Sequence, residues 1–207
     1  MDKTQKDTWK RLSQGWQAGA TGVKYTNHSN DKSIWRTTPS LLSSPTVFNN
    51  DFTIWKTEML LQSPPSGLLS QERARGLQNR LGGILPVHRG GIYLYNESKT
   101  RAVGFVISDD SSCFMESLEK RGRKWASIEQ KPGLCNEFQS GKPIKLGLIC
   151  SRTADHCKGY LRGQNLRKPK EKVTLENVGL GIGTWQYAFG CLNGTCSFKS
   201  MKTHNGN

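Results

Sequence analysis

Between residues 92 and 107, two apolar runs flank a polar pentad. Ile92-Tyr93-Leu94-Tyr95 precedes Asn96-Glu97-Ser98-Lys99-Thr100, and Ala102–Ile107 follows it. Val103, Phe105 and Ile107 recur with a period of two, which places side chains on one face of a strand. The pattern therefore predicts an antiparallel β-hairpin. A second hairpin is predicted from Thr184–Gly190 and Thr195–Lys199, because Asn193-Gly194 suits a two-residue type I′ turn. Ile144–Cys150 reads as a buried strand and Phe52–Leu61 as another.

Elsewhere, spacings of three and four suggest helices. Trp9, Leu12 and Trp16 share one helical face beside Lys6, Lys10 and Arg11. Leu69, Leu77 and Leu81 imply about three turns stopped by Gly82-Gly83. Phe114, Leu118, Trp125 and Ile128 form a further stripe, opened by the cap cluster Asp109–Ser112 and closed by Lys131-Pro132-Gly133. The sum is an α+β fold: a small, partly antiparallel sheet of two hairpins with one or two helices.

Four of the six Trp fall in residues 1–66, and residues 26–50 are polar and rich in Ser, Thr, Asn and Pro. Pro64-Pro65-Ser66-Gly67 is the best boundary. The expected organisation is a loop-rich, Trp-containing extension over 1–66, an α+β domain over 67–200 and a flexible tail over 201–207. No apolar run approaches the ~18 residues of a membrane helix. With no apolar stretch behind the N-terminus, the expected location is intracellular, in the nucleus or cytoplasm of a host cell.

Charge sharpens this reading. The 207 residues carry a formal +14, and nine cations lie between 142 and 172. They are Lys142, Lys145, Arg152, Lys158, Arg162, Arg167, Lys168, Lys170 and Lys172, opposed by Asp155 and Glu171. Tyr160 sits among them, where a ring can stack on a base. Gly159, Gly163 and Pro169 suggest a flexible cationic loop. Such a loop is expected to track nucleic-acid phosphates through backbone contacts with little sequence specificity. Lys120, Arg121, Arg123 and Lys124 form a secondary basic cluster.

Six cysteines allow either a disulfide framework or reduced thiols, and the missing leader favours reduced thiols. Cys191 and Cys196 are the one pair that the expected hairpin would bring together as a disulfide. A zinc set drawn from Cys150, His156, Cys157, Cys191 and Cys196 lacks knuckle spacing, so no metal is assigned. Gly179-Leu180-Gly181-Ile182-Gly183 has no preceding strand and following helix to make it a phosphate loop. No catalytic set or cofactor motif stands out, so the chain reads as non-enzymatic with no cofactor.

In make-up, being short, basic and rich in Trp, Ser and Gly, the chain resembles small viral accessory proteins. That resemblance implies a nucleoprotein-like accessory role. The alternative is a secreted, disulfide-bonded module that docks on a host or partner protein through its Trp-rich N-terminal third, with Trp9, Leu12 and Trp16 as anchors.

Overall fold

In the computed structural model, the Phe114–Ile128 stripe forms no helix; its residues belong to two paired strands. The structure describes residues 15–19, 22–26, 40–48, 51–62, 88–108, 111–122, 124–136, 138–162, 170–181, 183–192 and 194–206. Every regular element among them is a strand. In chain order these are β1 (Trp16–Ala18), β2 (Gly22–Thr26), β3 (Ser40–Phe48), β4 (Phe52–Gln62), β5 (Arg89–Asn96), β6 (Arg101–Ser108) and β7 (Ser112–Arg121). They continue as β8 (Lys124–Leu134), β9 (Ile144–Ser151), β10 (His156–Arg162), β11 (Lys170–Glu176), β12 (Trp185–Leu192) and β13 (Thr195–Gly206).

Two antiparallel sheets result. One has seven strands in the order β1-β2-β13-β4-β9-β10-β11, and the other six in the order β3-β12-β5-β6-β7-β8. The α+β expectation is thus corrected to an all-β sandwich. The misreading has a clear cause. Phe114 and Leu118 are four apart, a spacing that one helical face and one strand face share. In β7 both faces are buried: Cys113 and Met115 join the inter-sheet core, while Phe114 and Leu118 join a second cluster with Tyr93, Tyr95, Ala102, Val106 and Ala188. No polar alternation is left to mark a strand. The expected helix around Leu69–Leu81, like Trp9 and Leu12, lies outside the described residues.

Between the sheets, Trp55 packs on Tyr187 and Phe189, with ring centroids 5.1 and 5.2 Å away, and Phe189 stacks on Phe198 at 4.5 Å. Burying each such ring contributes about 1.5–3 kcal/mol. Thr53 and Tyr187 share a buried hydroxyl hydrogen bond from β4 to β12, across the sandwich. Gly159 permits a close approach of the two sheets: a Cβ there would lie 2.2 Å from Phe105 Cδ2, so a bare α-carbon seats the Phe105 ring.

The β5–β6 hairpin forms as expected, in register from Arg89–Ser108 to Tyr95–Ala102. The second does not. β12 pairs with β3 and β5, whereas β13 pairs with β2 and β4, so the short link between them carries the chain from one sheet to the other. In place of a loop-rich extension, residues 16–62 supply four strands, and β4 lies well inside the larger sheet. Residues 201–206 continue β13 rather than forming a free tail. Trp16 is a buried strand residue packed on Tyr25 and Phe198, not an exposed anchor.

All six cysteines are paired, which replaces the expectation of reduced thiols. Cys113–Cys135 closes β7 onto the chain just after β8, and Cys150–Cys157 joins directly opposed residues of β9 and β10. Cys191–Cys196 forms as the sequence allowed, but from one sheet to the other rather than within a hairpin, with its Cα atoms 5.9 Å apart. These sulfurs are therefore not zinc ligands. Among the described residues no group of three or more His, Cys, Asp or Glu converges.

Candidate functional site

Alternation in β4, β9 and β10 turns one set of side chains into the core and the other outward. Trp55, Leu146, Leu148, Cys157 and Leu161 point inward, while Lys56, Glu58, Lys145, Ile149, Tyr160 and Arg162 stand on the outer face. Register then fixes their neighbours. Lys202 of β13 pairs with Lys56 of β4, Lys56 with Gly147 of β9, and Gly147 with Tyr160 of β10. One step along the strands, Glu58 lies opposite Lys145, and Lys145 opposite Arg162.

Gly147 is the low point of this arrangement. With no side chain between Lys56 and Tyr160, the face opens into a groove of about 520 Å³ lined also by Glu58, Lys145, Ile149, Arg162 and Lys202. One wall is the half-buried ring of Tyr160. Its phenol donates to Glu171 Oε2 at 3.1 Å, and the same carboxylate takes Lys158 Nζ at 3.4 Å and Thr174 Oγ1 at 2.7 Å. The Thr174 hydrogen bond, followed by those of Tyr160 and Lys158, holds the Glu171 carboxyl below its usual pKa. Partial burial, with Glu171 beside it, raises that of the Tyr160 phenol. The ring is thus tethered, with an apolar plane beside four cations.

A second cleft, about 540 Å³, lies between the β5–β6 turn and the glycine loop before β12, with Ser98, Arg101 and Gly181 on its walls. Positive φ at Gly179, Gly181 and Gly183 bends that loop, and the Asp155 carboxylate accepts the N–H groups of Gly179 (3.2 Å) and Leu180 (2.9 Å). The Trp185 indole donates to the Leu180 carbonyl at 2.6 Å and is itself buried. This cleft offers polar backbone but no open aromatic plane. The Tyr160 groove is the better candidate.

The sequence-predicted cationic loop is not one surface. Its described part is mostly strand. Lys145, Lys158, Tyr160 and Arg162 share the outer face, Lys170 and Lys172 lie on β11, and Lys142 is in the turn before β9. Arg152 points elsewhere and donates to the Gly183 carbonyl; Arg167 and Lys168 lie outside the described residues. Of the secondary cluster, Lys120, Arg121 and Lys124 belong to the other sheet, where Arg121 pairs with Glu119 at 3.2 Å, and Arg123 lies outside the described residues. Lys56 and Lys202 were missed. Long-range register brings them to the groove, and no local pattern announces them.

No protein-family model matches the chain, and no curated protein matches it in sequence. Solved structures do match in shape. A carbohydrate-binding module, CBM66 from Bacillus subtilis, superposes with a TM-score of 0.57 at 9% identity, over 92% of this chain and 91% of its own. A legume lectin-like domain from Entamoeba histolytica gives 0.56 at 8% identity, over 93% and 87%. The VIP36 exoplasmic/lumenal domain in its Ca2+- and mannose-bound form gives 0.55 at 9% identity, over 93% and 81%.

The fold is a lectin-like β-sandwich. At these identities the likeness establishes architecture alone, but it overturns the starting picture. The nucleic-acid-binding reading set a cationic loop on an α+β body, and the viral-accessory resemblance rested on make-up alone; the described part of that segment is mostly strand, and the similar structures are carbohydrate-binding and lectin-like domains. Of the anchors named for the alternative, docking through the Trp-rich third, Trp16 is a core residue, while Trp9 and Leu12 lie outside the described residues. The disulfide-bonded half of that alternative agrees with the structure.

Proposed function

We propose that this protein is a non-catalytic carbohydrate-binding module of an extracellular or lumenal compartment, which takes a glycan in the groove beside Tyr160. The observation that carries the reading is a tethered aromatic ring above a side-chain-free floor at Gly147, on the open face of a lectin-like sandwich. An aromatic face is an apolar plane with a negative quadrupole, suited to the C–H face of a pyranose. The surrounding Lys, Arg and Glu side chains supply directional hydrogen bonds for hydroxyls, the usual make-up of a small-molecule site. Three disulfides support an oxidising compartment.

Screening the protein against immobilised glycans of varied composition tests the proposal. At least one class is expected to be retained, and Tyr160→Ala is expected to lower that retention tenfold or more while the variant still unfolds cooperatively. Unaltered retention by the variant, or no retention of any glycan by the folded protein, overturns it.

A further inference from the structure

The groove carries an excess of positive charge that a neutral sugar does not require. Across β13 and β4, Lys202 stands directly opposite Lys56, and across β9 and β10, Lys145 stands directly opposite Arg162. Like charges placed directly opposite on a sheet are destabilising, and here two such pairs border one groove. Among the described residues that line the groove, Glu58, opposite Lys145, is the one carboxylate beside Lys56, Lys145, Arg162 and Lys202. Neighbouring strands are ~4.8 Å apart, so the run from β13 to β10 spans roughly 14 Å with cations at both ends. Tyr160 stands within it.

Resting on the glycan reading above, we propose that the ligand is an anionic oligosaccharide bearing sulfate esters or uronate carboxylates. Lys56 and Lys202 hold acidic groups at one end of the groove and Lys145 and Arg162 at the other, with a sugar ring against Tyr160. An acidic group seated between Lys56 and Lys202 relieves the repulsion between those directly opposed ammonium groups. Glu171, committed to Tyr160 and Lys158, stands beyond the ring and interrupts the positive track. This interruption favours a short ligand with spaced charges over a continuous phosphate backbone.

Calorimetric titration discriminates the possibilities with five probes: a heparin hexasaccharide, its fully desulfated counterpart, a hexagalacturonate, a neutral mannohexaose and a single-stranded oligonucleotide of matched charge. Heparin or hexagalacturonate is expected to bind at least tenfold more tightly than mannohexaose, and whichever of the two is tighter identifies the acidic group. That affinity is expected to fall as salt rises from about 0.05 to about 0.5 M. The double variant Lys56→Gln, Lys202→Gln should lose about tenfold for the acidic sugar, at two- to fivefold per exposed charge, and keep its melting temperature. Neutral and acidic sugars binding equally, with the double variant unchanged, overturns the charge assignment and leaves carbohydrate binding standing. Binding of none of the sugars overturns both, and tighter binding of the oligonucleotide overturns the assignment in favour of a phosphate polymer.

Discussion

Tyr160 Oη lies 3.1 Å from Glu171 Oε2, so an acidic residue of β11 sets the angle of the ring on β10. Phenylalanine at 160 keeps the apolar plane but loses the tether. Tyr160→Phe is expected to weaken glycan binding a fewfold and Tyr160→Ala tenfold or more, as measured by affinity electrophoresis. Equal losses would show that the hydroxyl, not the plane, carries the contact.

Glu171 gives this tether a pH dependence. Its carboxyl is held below the ordinary value by Thr174, then Tyr160 and Lys158. A depressed folded pKa contributes stability that is fully present above the unfolded value and lost as pH falls through the folded one. Melting temperature is therefore expected to decline on acidification below the ordinary Glu pKa, and Glu171→Gln to flatten that decline. An unchanged acid limb in the variant would exclude the linkage.

Glu116 behaves in the opposite sense. It is buried at 3% exposure, accepts from Tyr93 Oη at 2.5 Å and from Gln130 Nε2 at 3.2 Å, and burial raises its pKa despite both hydrogen bonds and the nearby Arg89. A raised folded pKa contributes stability that is present below the unfolded value and lost as pH climbs through the folded one. Burial likewise pushes the Tyr93 phenol well up, with Glu116 adding to the shift, so Tyr93 keeps its proton into alkali and costs stability only above its ordinary pKa. Glu116→Gln is expected to remove the loss of stability that begins just above the ordinary Glu pKa, measured by urea denaturation across pH. Retention of that slope would place its origin elsewhere.

The three disulfides differ in reach. Cys113–Cys135 spans 22 residues, whereas Cys150–Cys157 and Cys191–Cys196 span 7 and 5. Chain entropy gives ~3 kcal/mol for the first and ~2 kcal/mol for each of the others. Paired Cys→Ala replacements are expected to follow that order in urea midpoints, and thiol titration of unfolded, unreduced protein to find none free. Free thiols in protein exported by a eukaryotic cell would contradict the pairing.

Gly159→Ala places a methyl 2.2 Å from the Phe105 ring. Overpacking of this kind costs about 1–3 kcal/mol. Phe105→Leu is expected to recover part of the loss in a double-mutant cycle, since the two sites are in contact. Strict additivity would show that the ring does not sit on Gly159.

How far the chain could be read in advance depends on which faces are buried. The β5–β6 hairpin was legible because Val103, Phe105 and Ile107 alternate around a polar turn, and β9 because Ile144–Cys150 is a mostly apolar run of strand length. β7 was not, because burial of Phe114 and Leu118 on one side and of Met115 on the other leaves a pattern that a helix also satisfies. Asn193-Gly194 suggested a hairpin, but turn chemistry does not say whether the next strand joins the same sheet, and β13 joins the other one. For the groove, Lys145, Tyr160 and Arg162 were singled out through local charge density. Lys56 and Lys202 come from distant strands, and only tertiary register places them beside Tyr160.

β13 sits in the middle of the larger sheet, between β2 and β4, although it is the last described strand in sequence. During synthesis, β2 therefore pairs with β1 alone in that sheet, and β2 and β4 each keep one edge bare, until residues 195–206 leave the ribosome. Lys202 arrives on that same strand, so the groove is completed only when the sheet closes. A nascent chain halted before residue 195 is an open-edged intermediate, prone to pairing with its neighbours.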